Sequence, residues 1–207
     1  MNGTHSQRLI VGITGATGSI FGIRLLEVLR GSDIQTHLIV SKWGGRTLVH
    51  ETRYTLDQVR QMASFCYSPA DQGAPISSGS FLAGGMVIAP CSMRTLAAIA
   101  QGQSEHLIHR AADVILKERR KLVLVVREAP LNEIHLENML KLARMGVVIF
   151  PPVPAFYNHP RSLDDLVNHT AMRVLDQFGI HLNLTERWDG KMSPGGYPAP
   201  VSSDSAQ

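Results

Sequence analysis

Hydroxyls, charges and proline turns collect behind aliphatic runs at five places in this 207-residue chain. Residues 14–19 (Thr-Gly-Ala-Thr-Gly-Ser) follow the first run and Ser41-Lys42 the second; Pro90-Cys91-Ser92-Met93-Arg94-Thr95 follow the third, Arg127-Glu128-Ala129-Pro130 the fourth, and Pro151 through Tyr157 the fifth. Glycines at 12, 15 and 18 let the backbone turn tightly and approach a ligand without Cβ interference, and the amides opening the next helix can receive a phosphate. The plainer alternative is a glycine-rich turn with no ligand. Ser92 is placed to cap a helix starting near Met93, a role compatible with ligand contact at the same helix start. Arg127 and Glu128, directly behind aliphatic residues, are expected in a partly dry setting where a carboxylate becomes a useful acid or base; an internal ion pair is the other reading. Arg110, Val114 and Lys117 are expected on one helix face opposite the core, where two cations two turns apart could clamp a phosphate. Spacing alone favours a solvated face there, with Asp113 and Lys117 as an i, i+4 pair. Pattern assigns no role to Glu51, Tyr157, Arg173 or Trp188.

Spacing also excludes ligands. The glycines follow G-x-x-G-x-x-G rather than the dinucleotide G-x-G-x-x-G, and the triphosphate loop ending in Gly-Lys-Ser/Thr is absent. An NAD site wants an acidic residue at the end of the second strand. Here that strand ends in Ser41-Lys42, which suits a mononucleotide phosphate or ribose better.

The elements that must position these residues are legible as periodicities. Residues 9–13, 36–40, 86–89, 122–126 and 147–150 are continuous apolar runs, which predict strands covered on both faces in a parallel α/β sheet. Ligands in such sheets collect at the carboxyl ends of the strands, where all five polar stretches fall. A helix over 20–29 presents Phe21, Leu25, Val28 and Leu29 on one face and stops at Gly31. A helix over about 105–120 turns Ile108, Ala111, Ala112 and Ile115 inward. Another over about 134–144 is expected to bury Leu136, Met139, Leu140 and Ala143, with Gly146 as its stop. Ser162-Leu163-Asp164-Asp165 has the form of a capping box for a last helix reaching about Phe178. Residues 68–85 read as a loop.

At 207 residues and 44% hydrophobic content, one domain with a substantial core is expected over 8–188, between a disordered N-terminus at 1–7 and a mobile tail at 189–207. A formal net charge of +3 with scattered Lys and Arg gives no nucleic-acid footprint. Two cysteines, Cys66 and Cys91, make neither a disulfide framework nor a metal-binding spacing and fit a reducing cytoplasm. No apolar run approaches the ~18 residues needed to span a bilayer, and residues 1–7 lack a signal-peptide core.

Seven stretches together resemble the UbiX family of flavin prenyltransferases. They are Thr14-Gly15-Ala16-Thr17-Gly18; Ser77-Ser78-Gly79-Ser80; Pro90-Cys91-Ser92; Arg110-Ala111-Ala112-Asp113-Val114 with Leu116-Lys117-Glu118-Arg119-Arg120; Arg127-Glu128-Ala129-Pro130; His135-Leu136-Glu137-Asn138-Met139; and Pro151-Pro152-Val153-Pro154-Ala155-Phe156-Tyr157. The resemblance implies a three-layer, flavodoxin-like subunit that binds reduced FMN and dimethylallyl monophosphate and joins the five-carbon group to flavin N5 and C6 without a metal. The product would serve a UbiD-type decarboxylase, and family members assemble as dodecamers with sites between subunits.

By match to the family's motifs, FMN would contact Gly15, Ala16, Thr17, Ser41, Ser92, Met93, Arg94, Thr95 and Arg127. Ser78, Lys117, Tyr157 and Arg173 would meet the prenyl phosphate, with Arg110 and Glu128 close by. Glu51 would assist ring closure, Glu128 would handle protons around the leaving phosphate, and Trp188 would shield the prenyl cation with its π face. Thr17 stands where the family often has serine, and Arg94 and Lys121 also depart from its pattern. Two competing readings are an FMN-dependent cysteine decarboxylase-like flavoprotein, for which His50 is the candidate histidine, and a non-catalytic flavin carrier.

Overall fold

A strand buried on both faces has no side to present to water, so its sequence is aliphatic throughout. The computed structural model, which describes residues 8–190 and 192, has six strands, four of them of this kind and two short ones at the sheet edges: β1 (Arg8–Ile13), β2 (Gln35–Val40), β3 (Phe65–Tyr67), β4 (Gly85–Cys91), β5 (Lys121–Val126) and β6 (Val148–Ile149). All pair in parallel in the order β3-β2-β1-β4-β5-β6. Without the short edge strand β3 this is the flavodoxin-like order, and the direction of winding reverses between β1 and β4. Five runs were expected. The sixth, β3, escapes a search for aliphatic runs because its three residues are Phe-Cys-Tyr, paired to β2 through His37–Phe65, Leu38–Cys66 and Ile39–Tyr67. The expected termini at 1–7 and most of 189–207 lie outside the described residues.

Seven helices cover the sheet: α1 (Ser19–Leu29), α2 (Lys42–Glu51), α3 (Leu56–Met62), α4 (Met93–Ala100), α5 (Leu107–Lys117), α6 (Glu133–Arg144) and α7 (Leu163–Asp176). Alternation along the strands divides the core into two halves. Ile10, Met86, Ile88, Leu122 and Leu124 face α4, α5 and α6, while Leu9, Val11, Val87, Val123 and Val125 face α1, α2, α3 and α7. Thr55, Asn132 and Ser162 close capping boxes at the starts of α3, α6 and α7, the last as expected. Gly31 and Gly146, the expected stops, have φ of 81° and 89°.

Three expected helix faces are corrected. In α1 the buried side includes Ile23 and Leu26, with Phe21 and Val28 only half-buried. In α5 the four expected core residues are buried, but so is Val114, because the 3-10 turn Pro75–Ser77 packs on that side. The expected Asp113–Lys117 pair does not form: Asp113 accepts from Arg110 at 2.9 Å, and Lys117 pairs with Glu118. The helix is also shorter than 105–120, since Arg119 turns left-handed at φ 53°. In α6 the buried residues are Asn138 and Leu142, while Leu136 and Leu140 are each 52% exposed. This helix leans on α4 near the sheet edge, so one narrow stripe suffices to cover it there and the rest of its apolar face points outward.

Candidate functional site

At the carboxyl edge between β1 and β4, where winding reverses, Thr14 ties the two strand ends together. Its amide and hydroxyl donate to the Pro90 carbonyl (3.2 and 2.8 Å), and the same hydroxyl accepts from the Ser92 amide at 2.9 Å. Thr14 is buried, so this clamp fixes the crevice walls rather than offering a free hydroxyl. Beyond it lies a cleft of about 660 Å³, within the range of small-molecule sites. Gly15, Ser41, Ser92, Arg94 and Thr95 line it together, five of the nine positions expected on FMN. Ser41 and Ser92 cap α2 and α4, accepting from the Gly44 amide (2.9 Å) and the Thr95 amide (3.3 Å). Met93 is buried in the core, so only its backbone could reach a ligand. Trp43 packs so closely that a Cβ on Gly15 would sit 2.6 Å from the Trp43 Cβ.

The amides opening α1, expected to receive a phosphate, are already taken. Glu51, at the end of α2, accepts from the Gly18 and Ser19 amides (2.9 and 2.5 Å) through one oxygen and from the Thr17 hydroxyl (2.8 Å) through the other. Gly18, at φ 101°, supplies no side-chain cap of its own, and a carboxylate is the favoured species at a helix start. An anion entering this edge is therefore directed to the start of α4, because at the start of α5 the Leu107 amide donates to the Pro69 carbonyl (2.8 Å). Thr17, Glu51 and Arg127 share a second cleft of about 890 Å³ with Phe21, Tyr54 and Leu163. Ala16 lies between the clefts, its amide turned onto the Thr14 carbonyl. Arg127 and Glu128 are both exposed, against the expected partly dry setting, and among the described residues no ion pair joins them. Among the described residues the Glu128 carboxylate accepts only its neighbour's amide, Ala129, at 3.2 Å.

The cations expected around one phosphate are not brought together in the single chain. Arg110 and Lys117 lie on α5, packed on one face of the sheet, and Arg173 on α7, packed on the other. Lys117 is ten residues below the start of α5, and Arg173 the same distance below the start of α7, each about 15 Å along its helix. Arg110 donates to the Ser77 carbonyl (3.2 Å) and Asp113, and Ser78 sits beside it with its hydroxyl 2.9 Å from that of Ser80. Arg173 shares the Asp176 carboxylate with Arg187 and His181. That cluster, led by the Arg187 hydrogen bonds, holds the Asp176 carboxyl well below the usual carboxylate range. It also anchors the segment carrying Trp188, whose ring meets Tyr157 edge-on at 5.7 Å. Tyr157 and Trp188 are thus neighbours, each half exposed.

Trp43, His106 and His109 line the first cleft without having been singled out. His106 and His109 sit three apart at the start of α5, a spacing that marks one helix face but does not say what the face meets. Among the described residues, no group of three or more His, Cys, Asp or Glu is arranged to hold a metal ion.

The Flavoprotein family model matches residues 2–175. The chain is 58% identical over 188 residues to a probable UbiX-like flavin prenyltransferase of Bacillus subtilis, covering 91% of this chain and 92% of that one. It is 55% identical to the mitochondrial flavin prenyltransferase PAD1 of Saccharomyces cerevisiae, covering 89% and 76%. Among solved structures, AnUbiX (PadA1) in complex with FMN and dimethylallyl pyrophosphate superposes with TM-score 0.89 at 50% identity, covering 91% of this chain and all of that one. A dodecameric FMN-dependent Ubix-like decarboxylase of Escherichia coli O157:H7 gives 0.87 at 56% identity, covering 89% and 100%.

Proposed function

The chain belongs to the UbiX-like flavin prenyltransferases of the Flavoprotein family, and from that premise we propose that it joins the dimethylallyl group of dimethylallyl monophosphate to N5 and C6 of reduced FMN. The observation that carries the reading is the 58% identity over nearly the whole of both chains, with all seven stretches that carry the resemblance inside residues 2–175 of the family match. When bound, FMN supplies the nucleophilic ring. The first cleft fits it: its volume suits a mononucleotide, and the capped start of α4 offers amides to a phosphate.

The remaining roles belong to the protein's own side chains. Ser41, Ser92, Arg94 and Thr95 hold the phosphate end, with the Met93 backbone. Gly15 and Ala16 let the flavin approach the β1 turn, and Thr17, Glu51 and Arg127 meet its ring at the second cleft. Glu51, fixed by three donors, keeps a carboxylate at the ring edge for the closing step. Arg110, Lys117, Arg173, Ser78 and Tyr157 receive the prenyl phosphate, and Glu128 exchanges its proton. Trp188, braced by Tyr157, turns an aromatic face to the allylic cation. His50, which a cysteine decarboxylase reading would use, is exposed, whereas its neighbour Glu51 reaches the cleft.

Because α5 and α7 place their cations on opposite faces, a complete site needs more than one chain. Assembly as a dodecamer meets that need, and the outward apolar face of α6, with Ile134, Leu136 and Leu140 exposed, supports packing between copies. The product passes to a UbiD-type decarboxylase. We further assign residues 8–188 as one flavin-binding domain. The two free cysteines fit a reducing, cytoplasmic setting, and no described helix is long and apolar enough to cross a membrane. The test is anaerobic incubation with reduced FMN and dimethylallyl monophosphate. A product heavier than FMN by the prenyl group is expected, and no mass change with folded, FMN-loaded protein overturns the proposal.

A further inference from the structure

His109 is 3% exposed, and among the described residues neither of its ring nitrogens has a partner. His106, one helical turn earlier, packs its ring against it at 3.8 Å between centroids and 30° between planes, and its Nδ1 is likewise unpartnered. Both rings line the cleft that holds Ser41, Ser92, Arg94 and Thr95. A neutral imidazole carries one N–H donor and one acceptor, and a buried donor left without a partner destabilises the fold. His106 occupies the N-cap position of α5 but its side chain caps nothing, so the helix start does not consume these groups.

Burial, reinforced by the neighbouring His106 and by Arg94, holds His109 down to about 4, so the ring is neutral near pH 7. The charged groups that share the cleft with the pair are Arg94 on α4 and Glu105 just before α5, themselves 3.9 Å apart, and Lys42 at the start of α2. Across the cleft stand the N-terminal amides of α4. The start of α4, the cations Arg94 and Lys42 and two imidazole rings with unused nitrogens therefore converge on one space, which calls for an occupant rich in acceptor oxygens.

We propose that His106 and His109 form a second wall of the phosphate site, donating an imidazole N–H to the phosphoryl end of the flavin nucleotide and making the cleft select FMN over riboflavin. This rests on the reading of the cleft as the flavin site. It adds two residues that interact with the ligand through a neutral donor rather than through charge.

The test compares FMN with riboflavin by calorimetry on the full chain. His109→Leu is expected to weaken FMN binding about tenfold, equivalent to about 1.4 kcal/mol, with riboflavin changed less than about twofold; His109→Gln, which keeps an N–H donor, recovers part of the loss. A readout independent of any variant's folding is the ring-nitrogen NMR spectrum of the unaltered protein, in which the His109 signals shift with FMN and stay in place with riboflavin. Equal losses for FMN and riboflavin, or imidazole signals unmoved at saturating FMN, overturn the inference. Prenyl transfer measured in the same samples separates the two failures. Transfer with unmoved imidazoles removes only this inference, shifted imidazoles without transfer remove only the prenyltransferase reading, and no FMN binding removes both.

Discussion

Thr17 and Glu51, 34 positions apart, are joined by a 2.8 Å hydrogen bond from the threonine hydroxyl to the carboxylate, whose other oxygen takes the first amides of α1. One side chain therefore does two jobs: it completes the N-terminus of a core helix and sets a negative charge at the mouth of the second cleft. The methyl that distinguishes Thr17 from serine leaves this contact intact.

Glu51→Gln keeps two acceptor contacts on one oxygen but loses the charge that favours the helix start. Unfolding in urea should show a loss of about 1 kcal/mol, and FMN should still bind. Turnover should fall about 100-fold or more, the scale of a lost acid or base. Unchanged turnover with bound FMN would show that the carboxylate serves the helix alone.

Gly22 faces the Ala89 carbonyl and lies so near β4 that an added Cβ would also stand 2.9 Å from the Ile13 side chain. Neither the strand backbone nor the buried Ile13 has room to yield, so Gly22→Ala is expected to destabilise by about 2 kcal/mol. Gly45, inside α2, would place its Cβ 3.4 Å from the flexible end of Leu56. Gly45→Ala should raise stability by about 0.5 kcal/mol through the unfolded chain. Thermal unfolding of the two variants should move in opposite directions.

Lys117 closes α5, about 15 Å along that helix from its start, while the Glu51 carboxylate sits at the start of α1, and the proposed function therefore has a site using both draw on two chains. Lys117→Ala and Glu51→Gln, each inactive alone, should regain activity when co-expressed, because about one site in four then receives intact residues from both neighbours. Mixed oligomers as inactive as their parents would place the whole site within one subunit.

His37 stacks on Phe65 at 4.8 Å, meets Phe81 edge-on and bonds the Tyr67 hydroxyl at 2.9 Å. Burial, with a smaller contribution from Arg8, lowers it from 6.5 to about 4. Between those values the unfolded chain binds a proton that the folded chain refuses, so stability declines as the pH is lowered from about 6.5 to about 4, by at most about 3 kcal/mol from this group. The urea midpoint should drop between about pH 7.5 and 5, and His37→Phe should drop less. Parallel declines would assign the acid sensitivity to other groups.

Much of the architecture was legible because it is local. Two-sided burial writes itself as aliphatic runs, and that located five of six strands; helix ends announce themselves at Ser92, Ser162, Gly31 and Gly146. The same logic put Ser41, Ser92 and Arg127 at strand ends, hence on one edge. The resemblance supplied Glu51, Tyr157 and Trp188, to which periodicity assigns nothing.

Other features depend on which segments meet, and no window of sequence contains that. Glu51 reaches across 32 residues to claim the amides of α1, moving the open anion site to α4. Arg110 and Lys117 part from Arg173 because α5 and α7 were laid on opposite sides of the sheet. The apolar face of α6 turned outward because its neighbour covers only one stripe, and His106 and His109 acquired a cleft only when α5 came to rest beside α4. Spacing along a chain determines which side chains share a face; only the packed structure determines what that face meets.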